Sequence, residues 1–315
     1  MKYVVFGLGG VGGAVADQLA LGEKDVTAIA HGAHLEACKQ QGGLRVIAED
    51  GAERVAKLPV MAAEDYEGTP DVVFVCVKDY SLDSVYPFLE RVCVPDTTVI
   101  PLSNVYGTGT RMAERLACSM GQDAPLVTCG CIYCSATIKE PGLLVKDSPL
   151  CRVVCGMPSV ADHKDNLARF MKIAEDATVA RLKFSVSNDI RRDHLRKFSY
   201  MASASAVGII FGCTADDIKM IPLVRKAFQD AIREIVYIAA AQNIALGDDI
   251  MAVNEEILMD AAPGATTSLQ RDLAAGHPSE IEGIIRSVVA WGIANNVATP
   301  VFKRASVAAR EQYGV

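Results

Sequence analysis

Lys2-Tyr3-Val4-Val5-Phe6-Gly7-Leu8-Gly9-Gly10-Val11-Gly12 decides how this chain is read. A short apolar run meets glycines at G-x-G-x-x-G spacing, and residues 11–21 go on with helical spacing. The glycine pattern alone is weak. Between a strand and a helix it is the fingerprint of a dinucleotide-binding turn. Gly7 permits the tight turn, Gly9 leaves bare backbone for a pyrophosphate, and Gly12 lets the helix pack closely on the strand. The free N–H groups and positive dipole end of the helix then face the phosphates. Leu8, Gly10 and Val11 complete this expected cofactor loop. A glycine-rich turn without function is the bland alternative, and the flanking elements argue against it.

The next strand, expected over residues 25–30, should end beside the adenosine ribose. An NAD-binding chain usually places Asp or Glu there to hold the 2′-hydroxyl. Here the sequence is Ala30-His31-Gly32-Ala33-His34, without a carboxylate. The usual repulsion of a 2′-phosphate is therefore missing. His31 can hydrogen-bond that phosphate, with Lys39 or Arg45 adding charge. NADP is favoured, and NAD stays possible.

Further along, Asp71-Val72-Val73-Phe74-Val75-Cys76-Val77 is nearly continuous hydrophobe, as expected of a strand buried on both faces. Residues 97–102 and 126–131 read similarly, and 179–184 is a last candidate strand. Residues 143–145 and 152–155 suggest a hairpin across Asp147-Ser148-Pro149. Alternating strands and helices predict an α/β, Rossmann-like, doubly wound parallel sheet. From about residue 188 helical patterns take over: 189–208, 221–241, 250–261, a helix opening at Pro278, and a last one at Thr299-Pro300. Ile281, Ile284, Ile285, Val288 and Val289 have the offsets of a buried helix face. The expected division is a dinucleotide-binding domain over 1–186 and an all-helical substrate and dimerisation domain over 187–315.

Length and composition agree with this. At 315 residues, about two domains of ~150 residues are expected. The chain has 31 Lys and Arg against 38 Asp and Glu, a net charge of −7. That speaks against a phosphate-backbone binder and against docking on acidic membranes. No run reaches the ~18 apolar residues of a membrane span, and no signal peptide is expected. Ten cysteines are scattered through apolar runs, as suits thiols in the cytoplasm. Cys131-x-x-Cys134 could be read as half a zinc site or a redox pair, but it lacks a second pair, so a buried strand is preferred and no metal is expected.

Spread over nearly the whole chain, a set of motifs resembles the ketopantoate reductase (2-dehydropantoate 2-reductase) family. Residues 7–12 match its cofactor loop. Val75-Cys76-Val77-Lys78 matches a strand ending in a lysine near the cofactor, which implicates Val77 and Lys78 in cofactor binding. Leu102-Ser103-Asn104 matches a strand end whose asparagine contacts nicotinamide and substrate, and Glu140-Pro141-Gly142 a Pro-Gly element before an edge hairpin. His194-Leu195-Arg196-Lys197-Phe198 matches the surroundings of the family's catalytic lysine. Thr267-Ser268-Leu269-Gln270-Arg271-Asp272 and Ser279-Glu280-Ile281-Glu282 match its serine, aspartate and glutamate, and Asn296-Val297-Ala298-Thr299-Pro300 its closing signature. The resemblance implies a Rossmann domain followed by a helical domain like that of phosphogluconate dehydrogenase. There are departures. Met201 and Ser205 stand where the family has asparagines four and eight residues after the lysine, and His31 replaces an arginine.

The implied reaction is NADPH-dependent reduction of 2-dehydropantoate to pantoate, on the way to pantothenate and coenzyme A. Ketone reduction needs a hydride donor, an acid for the developing alkoxide, and polar groups for the substrate carboxylate. Lys197 is the expected acid. It begins a helix stretch of small and apolar residues, where a partly desolvated ammonium gives up its proton more readily. Glu280, expected in the first helical turn after Pro278, would hold Lys197 and the substrate hydroxyl and take part in the cofactor site. Asn104 and Ser268 are expected to donate hydrogen bonds to substrate, with Met201 and Ser205 shaping its pocket. Asp272 reads as structural. Two alternatives remain at this point: a D-2-hydroxyacid dehydrogenase of the same fold acting on another 2-keto acid, and a non-catalytic dinucleotide sensor. The expected partner is a small 2-keto acid, with a homodimer possible.

Overall fold

The computed structural model describes all 315 residues, except for the side chains of residues 160 and 161. The chain divides into two units, Met1–Ile190 and Arg191–Val315. The first unit runs β1 (Lys2–Phe6), α1 (Gly10–Leu21), β2 (Asp25–Ile29), α2 (Gly32–Gln41), β3 (Leu44–Ile47), β4 (Glu53–Ala56), β5 (Val60–Met61) and β6 (Val72–Val75). It continues with α3 (Tyr86–Val92), β7 (Thr98–Pro101), α4 (Thr108–Met120), β8 (Leu126–Val127), β9 (Cys129–Glu140), β10 (Leu143–Gly156), α5 (Val160–Val179) and β11 (Lys183–Val186).

Six strands form one parallel sheet in the order β5-β2-β1-β6-β7-β8. Every residue of β6 and β7 is buried, as the apolar run of β6 and the largely apolar β7 predict. A second sheet, which the sequence reading did not anticipate, has the order β11-β10-β3-β4, with β9 antiparallel to β10. Helix α1 is packed against both sheets and is buried continuously from Gly12 to Leu19. Small residues make this possible: a Cβ on Gly13 would stand 3.0 Å from Leu144 and 3.2 Å from Leu44. One buried charge comes with it. Asp17 of α1 is fully buried and takes a bidentate contact from Arg54 of β4, with Lys146 of β10 at 3.4 Å.

Three local expectations need correction. The hairpin turn lies at Pro141-Gly142, where Gly142 has φ +79°, and not at 147–149. Residues 143–156 are one long strand. Between Lys146 and Cys151 its register slips, so Pro149 stands outside the ladder and its missing N–H costs no pairing. Residues 126–131 are two strands in different sheets, parted at Thr128. Val179 ends a 20-residue helix, α5, and the last strand starts at Lys183 after Arg181 turns the chain at φ +58°.

The second unit is helical: α6 (Ile190–Phe211), α7 (Ala215–Met220), α8 (Pro222–Ala241), α9 (Ile250–Asp260), α10 (Ser268–Ala274), α11 (Ser287–Ala294) and α12 (Pro300–Tyr313). Its core includes Val207, Ile218, Val224, Phe228, Ile232 and Leu258. Prolines open α8 and α12, where a missing N–H costs nothing. Buried Glu234 of α8 accepts the N–H groups of Val301 (2.7 Å) and Phe302 (3.3 Å) at the start of α12. The helix expected from Pro278 begins only at Ile281, where the Ile284 N–H reaches the Glu280 carbonyl at 2.9 Å. It then runs as a π-helical turn, Glu282–Arg286, before α11. Ile281, Ile284, Ile285 and Val288 are buried as their spacing predicted. No helix among the described residues is long and apolar enough to cross a membrane.

Candidate active site

The glycine loop sits at the carboxyl end of β1, the edge of a parallel sheet where such folds bind ligands. Its neighbours explain each glycine. Gly7 has φ +93°, and a Cβ there would stand 2.7 Å from Val77. A Cβ on Gly12 would lie 1.9 Å from the Gly7 oxygen, and one on Gly10 would lie 2.2 Å from the Ala136 oxygen on β9. Gly9 is different: nothing lies within 4 Å of its Cβ position, and it is the residue that precedes α1. This bare, open backbone at a helix start fits a dinucleotide pyrophosphate, with the N–H groups of the first turn as donors.

Strand pairing sets the other expected cofactor residues in a row. Gly7 donates to Ile29 of β2, Cys76 to Phe6, and Leu102 to Val75. His31 therefore stands at the tip of β2, exposed, as the residue preceding α2. Lys39 lies in the last turn of α2, about 12 Å along the helix from His31, and Arg45 faces Glu53 and Glu140. Lys39 therefore does not stand beside His31. Val77 and half-buried Lys78 follow β6, and Lys78 leads into a 3₁₀ turn over Asp79–Ser84.

Asn104 follows β7 and is half-buried in a turn fixed by neighbours. Ser103 Oγ accepts the Val105 N–H at 3.0 Å, and Thr108 Oγ1 reaches the Val105 oxygen at 3.0 Å and Asp79 at 2.8 Å. Arg111 pairs with Asp79 at 2.6 Å. Asp79, Thr108 and Arg111 thus join the loops after β6 and β7. The sequence reading missed them, because 29 residues separate Asp79 from Thr108.

In the helical unit, Lys197 is half-buried on α6, on the face it shares with His194, Met201 and Ser205. His194 is buried, and desolvation followed by the Lys197 charge pushes its pKa down to about 3. The imidazole beside the lysine is therefore neutral. Ser205 is fully buried, 2.8 Å from the Met201 oxygen and 3.0 Å from Thr267 Oγ1. Thr267 and Gln270 form a capping box that starts α10, so Ser205 joins α6 to the helix whose first residue is Ser268. The same crossing needs Gly208, whose Cβ would stand 2.2 Å from the Gln270 amide. Ser268 and Met201 are half-buried, and Glu280 is 5% exposed. The Asp272 carbonyl accepts the His277 N–H at 2.9 Å in the turn that leads to Glu280.

Cys131 and Cys134 lie three apart on β9, so their side chains leave opposite faces of the strand and cannot share a metal or a disulfide. Among the described residues no group of three or more His, Cys, Asp or Glu is placed to hold a metal.

Fold and loop together define a dinucleotide-binding protein, and comparison with known proteins narrows this to a nicotinamide-dinucleotide-dependent oxidoreductase acting on a CH–OH group. The ketopantoate reductase PanE/ApbA model matches residues 3–149 and its carboxyl-terminal counterpart matches residues 189–312. The chain belongs to the ketopantoate reductase family. It is 25% identical to a 2-dehydropantoate 2-reductase of Halobacterium salinarum, over 96% of each chain. It is 26% identical to one of Mesorhizobium japonicum, over 95% of this chain and 94% of the relative. Among solved structures, 2-dehydropantoate 2-reductase from Porphyromonas gingivalis is 25% identical over 97% of both chains, with a TM-score of 0.76. A D-mandelate dehydrogenase in ternary complex with NADH and anilino(oxo)acetate shares the fold at a TM-score of 0.87 and 20% identity, over 100% of this chain and 99% of that one.

Proposed function

We propose that this chain reduces 2-dehydropantoate to pantoate with NADPH, serving pantothenate and coenzyme A synthesis in the cytoplasm. The observation that carries the reading is the match of both family models, in order, along a chain whose β2 tip bears His31 and no carboxylate. The nicotinamide supplies the hydride when bound. Residues 7–12 hold the pyrophosphate, with Gly9 giving it room. His31 hydrogen-bonds the 2′-phosphate. Val77, Lys78 and Asn104 hold the nicotinamide end, and Asn104 and Ser268 orient the keto acid. Lys197 gives its proton to the developing alkoxide oxygen, and Glu280 holds that ammonium and the substrate hydroxyl. We also read the enzyme as a homodimer, which would cover Met220, Leu223 and Ile293, exposed by 79, 68 and 72%.

A second reading, a D-2-hydroxyacid dehydrogenase for another 2-keto acid, draws on one observation. Ser205, in place of a family asparagine, is buried and engaged with Met201 and Thr267. An amide that the family offers to substrate is therefore missing. Turnover of a panel of 2-keto acids with NADPH and NADH tests both. The proposal expects 2-dehydropantoate with NADPH to give the highest kcat/KM, and clearly faster turnover of another keto acid favours the second reading.

A further inference from the structure

His34 is not part of the glycine loop, yet the structure ties it to that loop's surroundings. It lies one turn into α2, the helix that His31 begins. Its Nδ1 accepts the Gly142 N–H at 2.9 Å, across 108 residues of chain. Gly142 is the left-handed corner of the β9–β10 hairpin, and a Cβ there would meet Ala37 and Gln41 of α2. The same hairpin supports the loop from below, since the Ala136 oxygen fills the space beside Gly10. An Nδ1 that accepts carries no proton, so the ring's proton is on Nε2. Nε2 is buried and has no hydrogen-bond partner among the described residues. Burial lowers the pKa of the ring, the Leu8 carbonyl opposes this, and His31 adds to it. The ring therefore remains a neutral acceptor.

We propose that His34 is a positioning residue for the cofactor: it locks α2 and the β9–β10 corner together around the glycine loop, so that the loop is set before the dinucleotide arrives. A preorganised loop binds more tightly, because ordering it is not charged against binding. The effect falls on affinity and not on the chemical step. This inference rests on residues 7–12 being the dinucleotide site.

The test uses the full-length protein with His34→Leu and His34→Asn. Dissociation constants for NADPH and NADH are read from the fluorescence of the reduced nucleotide, alongside melting temperature and kcat at saturating cofactor. His34→Leu is expected to weaken both nucleotides by about tenfold, the worth of one hydrogen bond, with kcat nearly unchanged. His34→Asn is expected to recover most of the affinity, because Oδ1 can accept the Gly142 N–H where Nδ1 did. Should His34→Leu fail to fold, His34→Asn decides alone, with near-wild-type affinity expected. The proposal is overturned if His34→Leu binds as tightly as wild type, if Asn does not restore binding, or if kcat falls while affinity holds. A wild-type protein that binds neither nucleotide would overturn the cofactor reading itself and this inference with it.

Discussion

Gly12 packs against Gly7 so closely that a Cβ on Gly12 would stand 1.9 Å from the Gly7 oxygen and 3.1 Å from the Cys76 Cβ. Gly9, between them, faces open space. The two glycines should therefore fail differently. Gly12→Ala forces backbone apart and is expected to lower the melting temperature by several degrees or prevent folding. Gly9 has φ −75° and ψ −164°, which alanine adopts without strain. Gly9→Ala should melt like wild type and bind dinucleotide at least tenfold more weakly, because the methyl occupies the space left for phosphate. Thermal melting and nucleotide titration of the two variants check this.

The absence of a carboxylate at the tip of β2 gives a second expectation. His31→Asp should weaken NADPH by tenfold or more and leave NADH unchanged or improved, since a carboxylate repels a 2′-phosphate and accepts from a 2′-hydroxyl. Paired titrations with the two nucleotides measure the ratio.

Asp17 is the buried anion of a cluster whose cations come from β4 and β10. Asp17→Asn leaves Arg54 and Lys146 facing each other without it. The expected loss is about 3 kcal/mol, typical for breaking a buried pair, read from urea unfolding.

Glu234 titrates inside the helical unit. Burial raises its pKa to about 7, against the backbone N–H groups of Val301 and Phe302 and the charge of Lys303, while Asp230 adds to the rise. The folded state thus holds a proton that the unfolded chain releases near its ordinary value of 4.5. This contribution to stability is complete below about pH 4.5, shrinks as pH rises, and is gone above about pH 7. Glu234→Gln should flatten that component. The difference between wild-type and variant unfolding free energies across pH 4.5–8 is the measurement, with a slope downward toward alkaline pH expected.

Much of the first unit was legible because β1, β6 and β7 are apolar on both faces, a pattern that few other structures produce. The second sheet was not. β3 alternates buried and half-buried residues over only four positions, and β10 carries Pro149 within a bulge that local reading takes for a turn. The helix after Pro278 was legible in its apolar spacing. Its start was not, because Pro278 and Ser279 precede it and Glu280 provides its first acceptor. Of the site, the glycine loop could be read locally, since steric demands within six residues fix it. Lys197, Asn104, Ser268 and Glu280 enter the proposed site only through resemblance. What fixes their surroundings joins residues far apart, as when Asp79 meets Thr108 or Ser205 meets Thr267.

The most direct measurement is the rate of NADPH oxidation by Lys197→Ala with 2-dehydropantoate, beside wild type and with NADPH affinity determined on the same samples. General acid catalysis contributes roughly 10²–10⁴ in rate. The account predicts a kcat lower by about a thousandfold with affinity for NADPH preserved. A variant that turns over 2-dehydropantoate at a rate near that of wild type would contradict it.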